Sequence, residues 1–216
     1  MANTISQNIT AVQYYAVSTT SAVFSTMSNP SLIVVIFTED GAAAATTPTI
    51  SDDKNAGNYT IDSSIVYSST NAIYIASKQN TQTAGATVTV SIGSTTHGYL
   101  KIYEITGAAT SSALDVQNTG TASSVPALTL TTTSADDSVF AALLSNVSGG
   151  SAADTSYTLD FGNTFAYNVA HAGESRADAG ASGAISLSFN MTSRVWAGAV
   201  AAYKTATGGA SIFLVS

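Results

Sequence analysis

The chain has 216 residues, enough to bury a sizeable core without staples, yet only 9% of them are charged against 45% hydrophobic; Ser and Thr fill the gap left by Lys and Glu. The net charge is −7, and the six basic residues, Lys54, Lys78, Lys101, Arg176, Arg194 and Lys204, are scattered. They form no basic stripe, which argues against nucleic acid and an anionic membrane surface as partners, and the absence of cysteine excludes disulfides and thiolate metal sites.

Residues 1–10 carry neither a basic nor an apolar targeting region, so no signal peptide is expected. Strands are expected near 9–17 and 21–27. The next, near 31–38, contains Leu32-Ile-Val-Val-Ile-Phe37, apolar at every position and so a central strand covered on both faces. Asp53-Lys-Asn-Ala-Gly-Asn58 is a turn between a strand ending near Ile50 and one spanning 58–67. Further strands follow at 71–77, 86–92 and 98–106. In 86–92, Val88, Val90 and Ile92 alternate with Thr89 and Ser91, a period that puts one set of side chains on each face of a pleated ribbon. Residues 107–113 and 115–124 lack periodicity and read as a polar crossover between sheets. Then come strands near 126–132, 138–145, 156–160, 164–171, 184–191 and 194–203. Val139–Leu144 is the best helical contender, but a short apolar run is equally a buried strand. After a Thr205–Gly209 hinge, Ile212, Phe213, Leu214 and Val215 form a last strand at 211–215 that must pair somewhere, within its own sheet or on a neighbouring subunit. The fold class is all-β, a two-sheet antiparallel β-sandwich.

Catalytic chemistry finds little support. The only histidines, His97 and His171, lie outside any nucleophile-elbow motif. The doublets Asp52-Asp53 and Asp136-Asp137 would point to opposite faces of a strand and suit turns better than an acid–base dyad. Glu104 shares a strand face with Leu100 and Ile102, so it sits at an exposed strand end or is partly buried with a partner. Asp52, Asp53 and Asn55 offer oxygen ligands of the kind Ca²⁺ prefers. His171, Glu174 and Asp178 form a looser cluster without a recognised metal spacing. Tyr99, Lys101 and Tyr103 share one strand face and, with Trp196, are the candidate interface or glycan surface. No cofactor motif is present.

The order of motifs is informative. Leu32–Phe37 precedes Ile50-Ser-Asp-Asp-Lys-Asn-Ala-Gly-Asn-Tyr-Thr60. Ala72-Ile-Tyr-Ile-Ala76, Gly85-Ala-Thr-Val-Thr-Val90 and Leu100-Lys-Ile-Tyr-Glu-Ile-Thr-Gly107 follow. Leu128-Thr-Leu130, Val139–Leu144 and Trp196-Ala-Gly-Ala-Val-Ala-Ala-Tyr203 complete the series. Over about residues 20–204 this resembles the jelly-roll-type β-sandwich domain that recurs in tailed-phage virion proteins and in bacterial surface and secreted proteins. The resemblance implies one sandwich domain at 20–204; an N-terminal arm or strand at 1–19 and a hinge and terminal strand at 205–216 lie outside its pattern and are expected as assembly elements of this chain. It implies no enzyme activity and no catalytic set.

The expected function is therefore that of a non-enzymatic structural protein of a phage virion, a head decoration or a tail- or fibre-associated component. It would self-assemble as a homo-oligomer and bind other virion proteins after assembly in the host cytoplasm. Two alternatives stay open: a subunit of an extracellular filament or surface layer linked by strand exchange, and a carbohydrate-binding module recognising glycans through Tyr and Trp196.

Overall fold

The computed structural model describes residues 2–41, 43–147, 152–165 and 168–206. Every regular element among them is a β-strand: β1 (Thr4–Asn8), β2 (Val12–Val23), β3 (Ser31–Gly41), β4 (Thr49–Asp52), β5 (Thr60–Ser68), β6 (Asn71–Asn80), β7 (Thr87–Thr106), β8 (Leu114–Ser124), β9 (Leu128–Thr132), β10 (Ser138–Ser145), β11 (Thr158–Phe165), β12 (Ala170–Arg176), β13 (Gly183–Leu187) and β14 (Arg194–Tyr203). All pairings are antiparallel.

The sandwich is built from two central sheets. One runs β1-β7-β3-β6-β5 and the other β11-β12-β10-β14-β8. Leu32, Val34 and Ile36 of β3 meet Phe140, Ala142 and Leu144 of β10 across a shared core that also holds Tyr103 and Tyr203. The outer faces are covered too. Ile33, Val35 and Phe37 pack under a layer made by β4, the second half of β2 and the first half of β7. Val139, Ala141 and Leu143 pack under the β9–β13 pair. Burial on both sides explains why Leu32–Phe37 of β3 and Val139–Leu144 of β10 are apolar at every position rather than alternating.

Several expected elements change. The strands expected at 86–92 and 98–106 are one 20-residue strand, β7, that bends from the outer layer into the central sheet. The expected 9–17 and 21–27 likewise merge into β2, which follows that bend. Residues 115–124, expected as a crossover, belong to β8, paired along β14 from Leu114 to Ser124. Its half-exposed position lets Gln, Asn, Thr, Gly and Ser occupy it, so no apolar alternation marks it. The strand expected at 184–191 stops at Leu187, because Phe189 and Asn190 take positive φ (52° and 42°). The expected terminal strand, with Ile212, Phe213, Leu214 and Val215, lies outside the described residues.

The two central sheets are copies of one plan. The order β1-β7-β3-β6-β5 maps onto β8-β14-β10-β12-β11 strand for strand, and the β2–β7 outer pairing maps onto β9–β13. The irregularities coincide as well. Ile5 faces Ile105 and Gln7 faces Glu104 with Ser6 bulged between them; Leu114 faces Tyr203 and Val116 faces Ala202 with Asp115 bulged between them. Ile61 and Ser63 flank a bulged Asp62, and Leu159 and Phe161 flank a bulged Asp160. The sequence carries the trace: Tyr59-Thr-Ile-Asp62 against Tyr157-Thr-Leu-Asp160. The molecule is an internal duplication whose halves face each other across the central core. Bulges are specified features of a strand pair, so matching bulges bind the two halves more closely than strand order does.

Candidate functional site

The duplicated aspartates project from the two bulges into the seam between the halves. Asp62 of the first half accepts a hydrogen bond from the Tyr203 hydroxyl of the second (2.7 Å). Asp160 of the second half faces Tyr103 of the first, from a strand equivalent to that of Tyr203. There the fit is looser. The Tyr103 hydroxyl faces Asp160 without a hydrogen bond of normal geometry, and Lys101 Nζ lies 3.8 Å from Asp160 Oδ1 while donating to Asn8 Oδ1 at 3.0 Å. Burial pushes both carboxyls up; Ser77 and Tyr203 oppose this at Asp62, and Tyr103, Lys101 and Ser175 oppose it at Asp160. Burial also pushes Lys101 down, against the pull of Asp160.

This geometry corrects the expected surface of Tyr99, Lys101, Tyr103 and Trp196. All four are buried, Tyr103 completely. Tyr99 stacks on Phe161 inside the seam (ring centroids 5.1 Å apart), and Trp196 packs with Leu128 in the core beneath β9–β13. A glycan-stacking platform needs an exposed ring face, which these residues do not offer. Alternation showed that Tyr99, Lys101 and Tyr103 share a face; it could not show that a second sheet covers that face.

A third lock joins the halves at Thr38, Asp40 and His171. The Thr38 hydroxyl lies 2.8 Å from His171 Nδ1, and His171 Nε2 lies 3.8 Å from Asp40 Oδ2. Asp40 Oδ2 also accepts the backbone N–H of Val169 (2.9 Å) and of Asn168. Burial opposes ionisation of Asp40, but the hydrogen bonds from His171, Val169 and Asn168 outweigh it and hold its carboxyl below the usual range. Burial drives the imidazole pKa down, with Asp40 opposing. Hydroxyl, imidazole and carboxylate stand in the order of a nucleophilic triad. All three are completely buried, and Thr38 is further held by the Tyr99 N–H at 3.1 Å. The arrangement ties strands together and presents no nucleophile to a solvent-borne substrate. Glu174, grouped with His171 by sequence, points to the other face of β12 and accepts the Asp154 N–H (2.9 Å).

At the expected calcium position, Asp52 and Asn55 come together and Asp53 does not. Asp52 Oδ1 accepts the N–H groups of Lys54 and Asn55 (2.8 and 2.5 Å), and Asp53 instead accepts the Thr87 N–H (2.8 Å). The Lys78 ammonium donates to the carbonyls of Asn55 (2.7 Å) and Gly57 and lies 3.8 Å from Asp52 Oδ2. A lysine thus stands where a cation would be held. Glu104 is the buried alternative of the two its sequence position allowed. Its carboxylate gathers Ser31 Oγ (2.9 Å), Ser6 Oγ (2.8 Å), Gln7 Nε2 (2.9 Å) and the Ser28 N–H, pinning β1 to β7. Two surface grooves lie elsewhere. One is formed by Val116, Asn118, Leu130 and Ile185, the other by Thr110, Ser112, Asp136 and Lys204.

Asp62, Asp160 and Tyr203 were not singled out by sequence reasoning, which named Tyr103 only as a surface residue; the repeated Tyr-Thr-Ile/Leu-Asp tetrapeptide is the signal that would have found the two aspartates. The unequal geometry gives a direct expectation. Tyr203→Phe should cost roughly 1–3 kcal/mol in urea unfolding, because it removes the 2.7 Å hydrogen bond to the half-buried Asp62 carboxyl. Tyr103→Phe should cost less, under ~1 kcal/mol, because the Tyr103 hydroxyl faces Asp160 without a hydrogen bond of normal geometry. Equal costs would contradict the asymmetry. No protein-family model, curated protein or solved structure matches this chain.

Proposed function

We propose that the chain is a non-enzymatic structural protein of a phage virion, a head decoration or a tail- or fibre-associated component, acting by self-assembly and by binding a repeated protein lattice. One observation carries this reading: the groups with catalytic potential, Thr38, Asp40, His171, Asp62, Lys101 and Asp160, are spent on locking two duplicated halves into one body. What remains outside is a Ser- and Thr-rich surface with few charges and several exposed valines. Val125, Val147 and Val195 belong to adjoining segments, since β8 pairs with Arg194 at Ser124, Arg194 Nη1 donates to the Val147 carbonyl, and the Asn146 N–H donates to the Val195 carbonyl. Exposed apolar side chains grouped on a rigid body suit protein–protein contact.

Sedimentation velocity across the micromolar range tests the reading. Defined closed oligomers are expected, and Val147→Glu with Val195→Glu should dissociate them without lowering the melting midpoint. Open fibres instead would shift the reading to a filament subunit. A wild-type chain that stays strictly monomeric and does not co-sediment with virus particles would overturn it.

A further inference from the structure

Among the described residues, β8 is the long strand edge that nothing blunts. It ends its sheet beside β14, and no backbone hydrogen bond from another described residue reaches its other side. An open edge is a template for a further strand, and folds ordinarily disarm it with short length, bulges or charge. The other free edges here follow that rule. β1, β4, β9 and β13 are four or five residues long, and β2, β5 and β11 are broken by register shifts. β8 instead pairs with β14 without interruption from Val116 to Ser124. Residues 116–135 hold no Asp, Glu, Lys or Arg, so two copies of a chain with net charge −7 meet no like charge along this strip.

The backbone and the residue order point to a second copy as the occupant. In an antiparallel ladder the hydrogen-bonding groups of alternate residues face alternate sides. The Thr119 N–H turns away from β14 to Asn118 Oδ1 (2.8 Å), so Gln117, Thr119, Thr121 and Ser123 carry the outward groups. Two β8 strands related by a two-fold axis at Gly120 set outward residues opposite outward residues: Thr119 faces Thr121, and Gln117 faces Ser123. Thr-Gly-Thr reads the same from either side of that centre, and hydroxyl-bearing pairs are favourable across antiparallel strands. Gly120 puts no side chain on the axis, and its hydrogens lie over Trp196 and Leu128.

We propose that the outer edge of β8 is a dimer interface, where two copies pair β8 with β8 about Gly120 and join two five-stranded sheets into one. The proposal rests on the reading of a self-assembling protein and names the surface that it uses. The same register lays the Ser124 end of each copy, with the exposed Val125 beyond it, alongside Val116 of its partner.

The chain has no cysteine, so single cysteines report one contact each. Asn118→Cys and Ala122→Cys chains are mixed and mildly oxidised. A dimer-mass disulfide is expected in the mixture and little of it in either variant alone, where the two thiols lie about 14 Å apart along the strands. Thr121→Lys, at an exposed position, sets like charges across the pairing. It should raise the dimer dissociation constant at least about tenfold in sedimentation velocity, with the melting midpoint unchanged. The proposal is overturned if the mixture forms no more disulfide than the single variants, or if the Thr121→Lys chain associates like the wild type. An oligomer that passes neither test overturns this interface alone; a strictly monomeric wild-type chain overturns it together with the self-assembly reading.

Discussion

Gly98→Ala is expected to cost more than ~4 kcal/mol or to abolish soluble expression, the upper end of single-substitution effects. Gly98 sits where β7 passes from the outer layer to the central sheet, at φ +151°, a conformation side chains rarely adopt. A Cβ there would lie 1.9 Å from the Thr38 carbonyl oxygen and 2.7 Å from the Tyr14 hydroxyl. Those two groups are hydrogen-bonded to each other at 2.6 Å, so neither can yield without losing its partner. The clash is with backbone of β3, the most buried strand of its sheet, and the layers would have to separate to relieve it. Gly57→Ala is the control. Its φ is also positive (+82°), but nothing lies within 4 Å of the new methyl. It should cost only about 1 kcal/mol of backbone strain. Urea unfolding of the two variants decides the matter, and comparable costs would mean that β7 can bend elsewhere.

Stability is expected to fall as pH rises from 5 to 8. Glu39, Asp137 and Glu174 each have a carboxyl pushed up to about 7. Burial is the main cause in all three, opposed by the Tyr74 hydroxyl at Glu39 and by the Asp154 N–H at Glu174, and reinforced by Asp115 beside Asp137. Asp62 and Asp160 are raised as well. A carboxyl with a raised folded pKa holds its proton where the unfolded chain has lost it. Its stabilisation is complete below the unfolded value and is lost as pH rises through the folded value. His171 works the other way. Its depressed pKa gives stability that is present above the unfolded value of 6.5 and lost as pH falls through the folded one. Asp40 and Asp115, whose carboxyls are lowered, lose their contribution only on acidification below the ordinary carboxylate range. Between pH 5 and 8 the three carboxyls near 7 therefore oppose one imidazole. A tenfold difference in proton affinity between the folded and unfolded chain is worth about 1.4 kcal/mol before relaxation and water penetration reduce it. A net loss on the order of a few kcal/mol by pH 8 is expected, or roughly 5–15 °C in melting midpoint for a chain of this size. Thermal melts at intervals between pH 5 and 8 measure it. Glu39→Gln and Asp137→Asn should flatten the curve, and a wild-type profile that rises across this window would contradict the assignment.

The local chemistry of the chain was enough to mark most of its strands. Alternation at Thr87–Ile92, the unbroken apolar run Leu32–Phe37 and the Gly57 turn are properties of a few neighbouring residues, and pleat geometry translates them directly into ribbon and bend. The burial of β3 on both faces was legible for the same reason, since a strand apolar at every position has no face left for water. Other features depend on partners more than a hundred residues away. Nothing near Tyr99, Lys101 or Tyr103 says that β11 and β12 close over them, so a face that alternation marks as shared could be read as surface. β8 was invisible because its polar residues are those an edge strand tolerates, and only its pairing with β14 makes it a strand. His171 and Asp40 stand far apart in sequence and meet only because the duplicated sheets pack face to face. Strand identity is set by a residue and its immediate neighbours. The tertiary pairing of the two halves alone determines whether a polar group on a strand becomes a surface, a site or a lock, because it decides which faces keep their water.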